Sequence, residues 1–194
     1  SNRFVGGFLG KANVFTPSPQ SYDGEVRARI GGAMEVRGGC GYIEEWTEPR
    51  LVRDAHLGSI WEGTSNIVAL DVLRAIRKEG SLPALRRHVD QLLAEGLPCP
   101  PALAATQADA LERTYALAAH AAQGDHAELA RQAASLLYHA VSMAALRWEA
   151  VGDGLASRAL LADQVLQHRL APRDPYAIPA DESAACRGIL QHAL

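Results

Sequence analysis

Residues 33–76 read AMEVRGGCGYIEEWTEPRLVRDAHLGSIWEGTSNIVALDVLRAI, and this stretch sets the architecture on both sides of it. A helical spacing of Val26, Ile30, Ala33 and Met34 runs into it, with Asp23 placed to cap the N-terminus. Gly31 and Gly32 weaken that helix or let another helix approach closely. It stops at Gly38-Gly39-Cys40-Gly41, where three glycines in four positions suit φ values that other residues resist. Pro49 interrupts the acidic EEWTEP run and opens a short helix through Leu51, Val52 and Ala55. His56 to Gly63 reads as a turn carrying Ile60, Trp61 and Glu62. Thr64 or Ser65 then caps a helix with apolar positions Ile67, Leu70, Val72, Leu73 and Ile76, which Gly80 ends.

The sequence beyond Gly80 is a succession of helical hairpins. Ser81 is expected to cap a helix through Leu85, Val89, Leu92 and Leu93, closed by the LPCPP linker at 97–101. Helices over 102–122 and 126–151 follow, split at Gly124-Asp125, and another over 154–170 is stopped by Pro172. A last short helix is expected within 181–191. Before Ser21, glycines and prolines punctuate an irregular segment. No stretch alternates apolar and polar residues like a strand. The fold class is therefore all-α, a bundle with a helical extension. Its divisions fall at 1–21 (irregular), 22–96 (helices around the quoted stretch) and 97–194 (the extension).

Composition narrows the function. The 194 residues are 48% hydrophobic and 21% charged, enough to bury a core. A net charge of −3 without a basic run disfavours generic nucleic-acid binding through counterion release. No run approaches the ~20 apolar residues of a membrane span, and the N-terminus lacks a secretion pattern. Cys40, Cys99 and Cys186 are widely spaced and odd in number, which argues against a disulfide framework and for a reducing cytoplasm. Ser1-Asn2 without a preceding Met reads as a shortened chain.

Two places in the quoted stretch suit anions. GGCG presents backbone N–H groups that could approach a phosphate or another chain, although a tight helix-to-helix turn is the plainer reading. The TSN helix start is a second such terminus. Arg27, Arg29, Arg37, Arg50 and Arg53 would form either structural ion pairs or a basic face. His120 and His126, six apart across Gly124, do not have metal-ligand spacing, and no metal site is expected. Tyr115, Tyr138, Met143 and Trp148 fall at core spacings. Cys40 sits in the glycine turn, with nothing beside it to lower its pKa.

Taken together, Gly38-Gly39-Cys40-Gly41-Tyr42, Arg50-Leu51-Val52-Arg53-Asp54-Ala55 and Trp61-Glu62-Gly63-Thr64-Ser65-Asn66-Ile67 resemble the C-terminal signature of the acyl-CoA dehydrogenase family. Three elements stand in the family's order and spacing. Trp61 before the glutamate and the ALDVLRA continuation resemble the subgroup of bacterial alkylation-response homologues. The resemblance spans roughly residues 25–78 and implies the family's C-terminal four-helix-bundle-type domain, extended at its end. It also implies that the family's N-terminal helical domain and middle β-domain lie outside this sequence.

By the same resemblance, Glu62 is the base that removes the α-proton of an acyl-CoA thioester while a β-hydride passes to FAD. A carboxylate suits that role because it is ionised at neutral pH and a dry pocket raises its basicity. The Glu62 N–H would help polarise the thioester carbonyl, Gly63 leaves room beside the base, and Trp61 walls the pocket. Gly38, Gly39 and Gly41 fall where the family turn meets the FAD diphosphate of a neighbouring subunit, and Thr64 and Asn66 fall at the FAD-contacting helix start.

Two positions depart from the pattern. Glu35 and Val68 stand where many members carry a glutamine. A carboxylate at Glu35 disfavours a diphosphate unless a cation intervenes, and Arg37 is the candidate cation. The family further implies an electron-transfer flavoprotein as electron acceptor and a dimer or tetramer. Two other readings compete: a DNA-binding module like that of the alkylation-response homologues, and a non-catalytic helical scaffold.

Overall fold

The computed structural model describes residues 30–61 (backbone alone from 58), 64–124, 126–152, 157–172, 176 and 186–189. Among them there is no strand, and the all-α expectation holds. Residues 30–36 are helical (α1), followed by the single turn α2 (Gly39–Tyr42), α3 (Glu48–Trp61) and α4 (Ser65–Glu79). Then come α5 (Ser81–Glu95), α6 (Pro101–Gln123), a 3₁₀ turn (Ala127–Leu129), α7 (Ala130–Glu149) and α8 (Ser157–Val165). A wider π turn, Leu166–Leu170, completes α8. The chain divides into two compact units, Ser1–Ala75 and Ile76–Leu194, with the division falling inside α4.

In the first unit, α2 packs on α3. The helix α3 begins at Glu48, an acidic residue in a first turn that favours negative charge, with Pro49 pre-set for helical φ. The turn expected over His56–Gly63 is corrected here, since the helix runs on through His56 to Trp61. Nothing between His56 and Ile60 breaks a helix apart from Gly58, whose cost of about 1 kcal/mol the rest of a 14-residue helix can offset. The expected helix start at Tyr22, the irregular segment before it, and residues 62–63 lie outside the described residues. On α4, Ala69, Val72, Leu73 and Ala75 are buried, but Ile67 and Leu70 of the expected apolar set are exposed.

The second unit is built round α7, which packs against α5, α6 and α8. Buried residues of α6 recur at Ala110, Leu111, Thr114, Tyr115, Ala118, Ala121 and Ala122, the 3.6-residue period of one helical face. Ala133, Leu137, Ala140, Met143 and Ala144 line the matching face of α7. Most of these side chains are alanine, so the helices approach closely and the few large residues (Leu85, Leu137, Met143, Leu166) fill the remaining space. Trp148, placed in the core by its spacing, is instead half-exposed, with its indole N–H donated to Glu95 at 3.2 Å. It sits at the last turn of α7, beyond the packed face.

Gly80 separates α4 from α5 in the left-handed conformation (φ 62°, ψ 34°), as its position after the last helical residue leads one to expect. It also takes the N-cap place expected of Ser81. Ser81 becomes the first residue of α5, and its buried hydroxyl has no hydrogen-bond partner among the described residues. The buried Tyr115 hydroxyl is likewise unpartnered, and burial pushes its phenol pKa upward. Since a buried unpaired hydroxyl costs stability, Ser81→Ala and Tyr115→Phe are expected to leave the thermal midpoint unchanged or raise it. A loss of more than about 1 kcal/mol by either would mean that the hydroxyl does find a partner.

Candidate functional site

The glycine turn forms because α1 ends against it. The Gly38 N–H donates to the Glu35 carbonyl at 3.0 Å, and Gly38 itself adopts φ 60° and ψ −139°, where a side chain is strained. The Gly41 N–H then donates back to the Gly38 carbonyl at 3.0 Å. The three glycines do different work. A Cβ on Gly41 would collide with the Met34 backbone carbonyl, so Gly41 permits the turn to close. A Cβ on Gly38 or Gly39 would meet no described residue within 4 Å, so among the described residues their backbone is open to an approaching group. Cys40 is exposed.

Charge around this turn is largely neutralised within the segment. The Arg37 Nε lies 2.7 Å from Glu48 Oε1. Arg53 reaches both carboxylate oxygens of Glu44, at 2.5 and 3.0 Å, and that contact raises the Arg53 pKa. Arg50 lies 3.6 Å from Asp54, one helical turn along α3. Arg37, Arg50 and Arg53, the described members of the possible basic face, are therefore ion-paired, the structural alternative of the two that the sequence left open. Arg27 and Arg29 lie outside the described residues. The side chains of Glu35 and Glu45 make no ion pair among the described residues and are exposed.

The second element is the junction between α3 and α4. Trp61 ends α3, and Thr64 precedes α4 in the N-cap position, its carbonyl accepting the N–H groups of Ile67 (2.9 Å) and Val68 (3.2 Å). Thr64, Ser65 and Asn66 are exposed at this helix start, and Val68 is partly buried. Glu62 and Gly63, the expected base and its small neighbour, lie outside the described residues, as does the Trp61 side chain. Among the described residues no hydrogen bond, ion pair or ring contact joins the glycine turn to Thr64 or Asn66.

These positions fall in a segment with known relatives. Residues 25–77 match the acyl-CoA dehydrogenase C-terminal domain. The chain is 42% identical over 82 residues to acyl-CoA dehydrogenase family member 11 of Caenorhabditis elegans, covering 41% of this chain and 13% of that protein. It is 51% identical over 53 residues to the putative acyl-CoA dehydrogenase AidB of Escherichia coli (strain K12), covering 27% of this chain and 10% of that protein. The matched stretches thus span only a small part of the curated relatives. No solved structure gives a significant match. The resemblance carried by the three sequence elements holds, and the acyl-CoA dehydrogenase signature accounts for the glycine turn, α3 and most of α4.

Outside the signature, the second unit contains a polar cluster that sequence reasoning missed. Arg147 of α7, 1% exposed, donates to Asp163 Oδ1 at 2.5 Å, Gln107 Oε1 at 3.0 Å, Cys99 Sγ at 3.2 Å and the Pro98 carbonyl at 3.5 Å. Burial pushes the Cys99 thiol pKa up, against the pull of Arg147. The available signal was an arginine on the alanine face of α7, in register with Ala140 and Ala144. His120 and His126 stack with ring centroids 4.4 Å apart, and His126 Nδ1 lies 3.3 Å from Glu128. No group of three potential metal ligands comes together among the described residues, and no described helix is long and apolar enough to cross a membrane.

Proposed function

We propose that this chain is the C-terminal helical part of an FAD-dependent acyl-CoA dehydrogenase, in which Glu62 is the base for α,β-dehydrogenation of an acyl-CoA thioester. The observation that carries the reading is the conjunction of the three signature elements, matched as one segment, with the open backbone at Gly38 and Gly39. An unobstructed glycine turn and an exposed helix start at Thr64 and Asn66 are what a phosphate-bearing cofactor needs from this side of its site. Shape thus fits FAD. When bound, FAD supplies the acceptor for the β-hydride.

The chain's own contribution is proton chemistry and positioning. The Glu62 carboxylate takes the α-proton, and the C–H electron pair delocalises toward the thioester carbonyl, whose developing negative charge the Glu62 N–H stabilises. Gly63 leaves room beside the base and Trp61 walls the pocket. Gly38 and Gly39 receive the cofactor diphosphate, with Glu35 and Gly41 completing the turn, and Thr64 and Asn66 bind from the helix start. An acyl-CoA substrate, an electron-transfer flavoprotein acceptor and assembly into a dimer or tetramer belong to the same reading, as does a cytoplasmic location. The DNA-binding alternative draws no support from Arg37, Arg50 or Arg53, whose charges are taken up by carboxylates of the same segment.

The test is FAD titration of the 194-residue chain by fluorescence and visible absorption. Saturable binding is expected, weakened about tenfold or more by Gly39→Val. The isolated chain is expected to be inactive; once it is joined to the family's other two domains, acyl-CoA should bleach the bound flavin, and Glu62→Gln should abolish the bleaching while FAD stays bound. Absence of FAD binding at high micromolar concentration would overturn the cofactor half of the proposal. Bleaching unchanged in Glu62→Gln would overturn the assignment of the base.

A further inference from the structure

The glycine turn is open in shape, yet the cation beside it is already engaged. Arg37 immediately precedes Gly38, and consecutive Cα atoms are at most ~3.8 Å apart, so Gly38 and Gly39 both lie within reach of an arginine side chain rooted there. Its guanidinium is instead turned to Glu48, 2.7 Å away at the start of α3. Arg50 and Arg53 have their own carboxylates. Glu35, one helical turn before Gly39, adds a negative charge that no described residue pairs. A diphosphate approaching Gly38 and Gly39 therefore meets Glu35, while the described arginines nearest in sequence, Arg37, Arg50 and Arg53, are already paired.

The Arg37–Glu48 contact is a weak tie. Arg37 is half-exposed, its side chain 51% accessible against 23% for Glu48. Solvent screening leaves such a pair little net stability. A phosphate group bears more charge than a carboxylate and can take two guanidinium N–H bonds at once. The two acceptors thus compete for one donor, and the incoming one is the stronger.

We propose that Arg37 is an exchangeable latch: Glu48 holds it in the free chain, and the diphosphate of a nucleotide cofactor takes it over at the Gly38–Gly39 turn. Glu48 is then an intrachain competitor that lowers phosphate affinity, and Glu35 lowers it further by repulsion. This inference rests on reading the turn as a phosphate-facing element. A purely structural role for the pair, stapling the turn to α3, makes the opposite forecast for the variants below.

The experiment is calorimetric titration of the full chain with ADP, inorganic pyrophosphate and FAD, at low and at moderate salt. Glu48→Gln is expected to tighten ADP binding roughly threefold to tenfold, the effect of freeing one partly screened charge. Arg37→Gln should weaken it by a similar factor and flatten its salt dependence. The double variant Arg37→Gln/Glu48→Gln should bind no better than Arg37→Gln alone, because the gain acts only through Arg37. Glu35→Gln should tighten binding independently of Arg37, and Glu45→Gln, an exposed carboxylate of the same segment, should leave it unchanged. If Glu48→Gln proves unfolded by circular dichroism, Glu48→Asp loosens the same contact and is expected to shift affinity in the same direction.

Equal affinity of wild type and Glu48→Gln, with Gly39→Val still weakening FAD, would overturn the latch and leave the phosphate-facing turn intact. A gain in Glu48→Gln that persists without Arg37 would also overturn the latch. No binding of any of the three ligands by wild type, Glu48→Gln or Glu35→Gln at millimolar concentration would overturn the latch and the phosphate reading together.

Discussion

Asp163→Ala is expected to lower the free energy of unfolding by about 3 kcal/mol, the lower end of the range for breaking one side of a buried ion pair. The reason lies in Arg147, a guanidinium always charged at physiological pH and almost fully removed from water. Asp163, on α8, is its one charged partner among the described contacts, at 2.5 Å. Gln107, Cys99 and the Pro98 carbonyl accept three more of its five N–H groups but carry no charge. Removing the carboxylate strands the cation in a poorly polarisable interior, and α8 loses one of its contacts with α7. Asp163 keeps some contact with water, its side chain 15% accessible, which is why the lower end of the range applies.

The control is to remove the charge altogether. Arg147→Met with Asp163→Leu replaces the pair by packed apolar groups and should cost less than Asp163→Ala alone, because neither partner is left charged and buried. Urea unfolding followed by circular dichroism measures both. The midpoint should shift with the slope unchanged if the native state stays intact. A cost below about 1 kcal/mol for Asp163→Ala would mean that water reaches Arg147 and that the pair behaves as a surface one.

The elements of the fold were more legible than its tertiary detail. Helix periodicity is a local signal, so α6 and α7 could be placed to within a few residues of 102–122 and 126–151 from the alanine-rich spacing alone. The stop at Gly80 was equally plain, because a single left-handed residue is a local requirement. What misled was the weak local evidence of glycine and of polar caps. The stretch from His56 to Gly63 reads as a turn where α3 in fact continues to Trp61, and Ser81 reads as a cap although Gly80 holds that place.

The candidate site divides in the same way. Its motif order could be read along the chain, including the glycine turn and the helix start at Thr64. Ion-pair choice could not. Arg37 has Glu35 two residues away and Glu48 eleven away, and only the approach of α2 to α3 decides for Glu48. The burial of Arg147 among alanines was invisible for the same reason. Nothing in an ALRWE sequence says that α5, α6 and α8 converge on that arginine.

Gly96→Ala carries the second large effect, and its sign is diagnostic. Gly96 has φ −85° and ψ 175°, an extended conformation open to any residue. At an unobstructed site of that kind, alanine gains about 0.4–1 kcal/mol by restricting the unfolded chain. Here the new Cβ would lie 2.8 Å from the Arg147 carbonyl carbon, the Leu92 carbonyl oxygen and the Trp148 nitrogen. All three are backbone atoms, so no rotamer change relieves the contact, and the end of α5 must move away from α7. That movement strains the bond from the Leu97 N–H to the Arg147 carbonyl, 2.9 Å long, and disturbs the linker carbonyl and thiol that Arg147 binds.

Overpacking of this kind is expected to cost about 3 kcal/mol, enough to lower the thermal midpoint by roughly 6–12 °C in a chain of this size. Gly124→Ala is the matched control. Among the described residues its Cβ would face the His126 ring at 3.4 Å, a side chain rather than backbone, so it should be neutral or mildly stabilising. Because Gly96 meets the Arg147 backbone and Asp163 its guanidinium, their combined variant should cost less than the sum of the two, a coupling that a double-mutant cycle reads directly. Strict additivity would show that the linker and α8 are held to α7 independently, and that Arg147 does not join them.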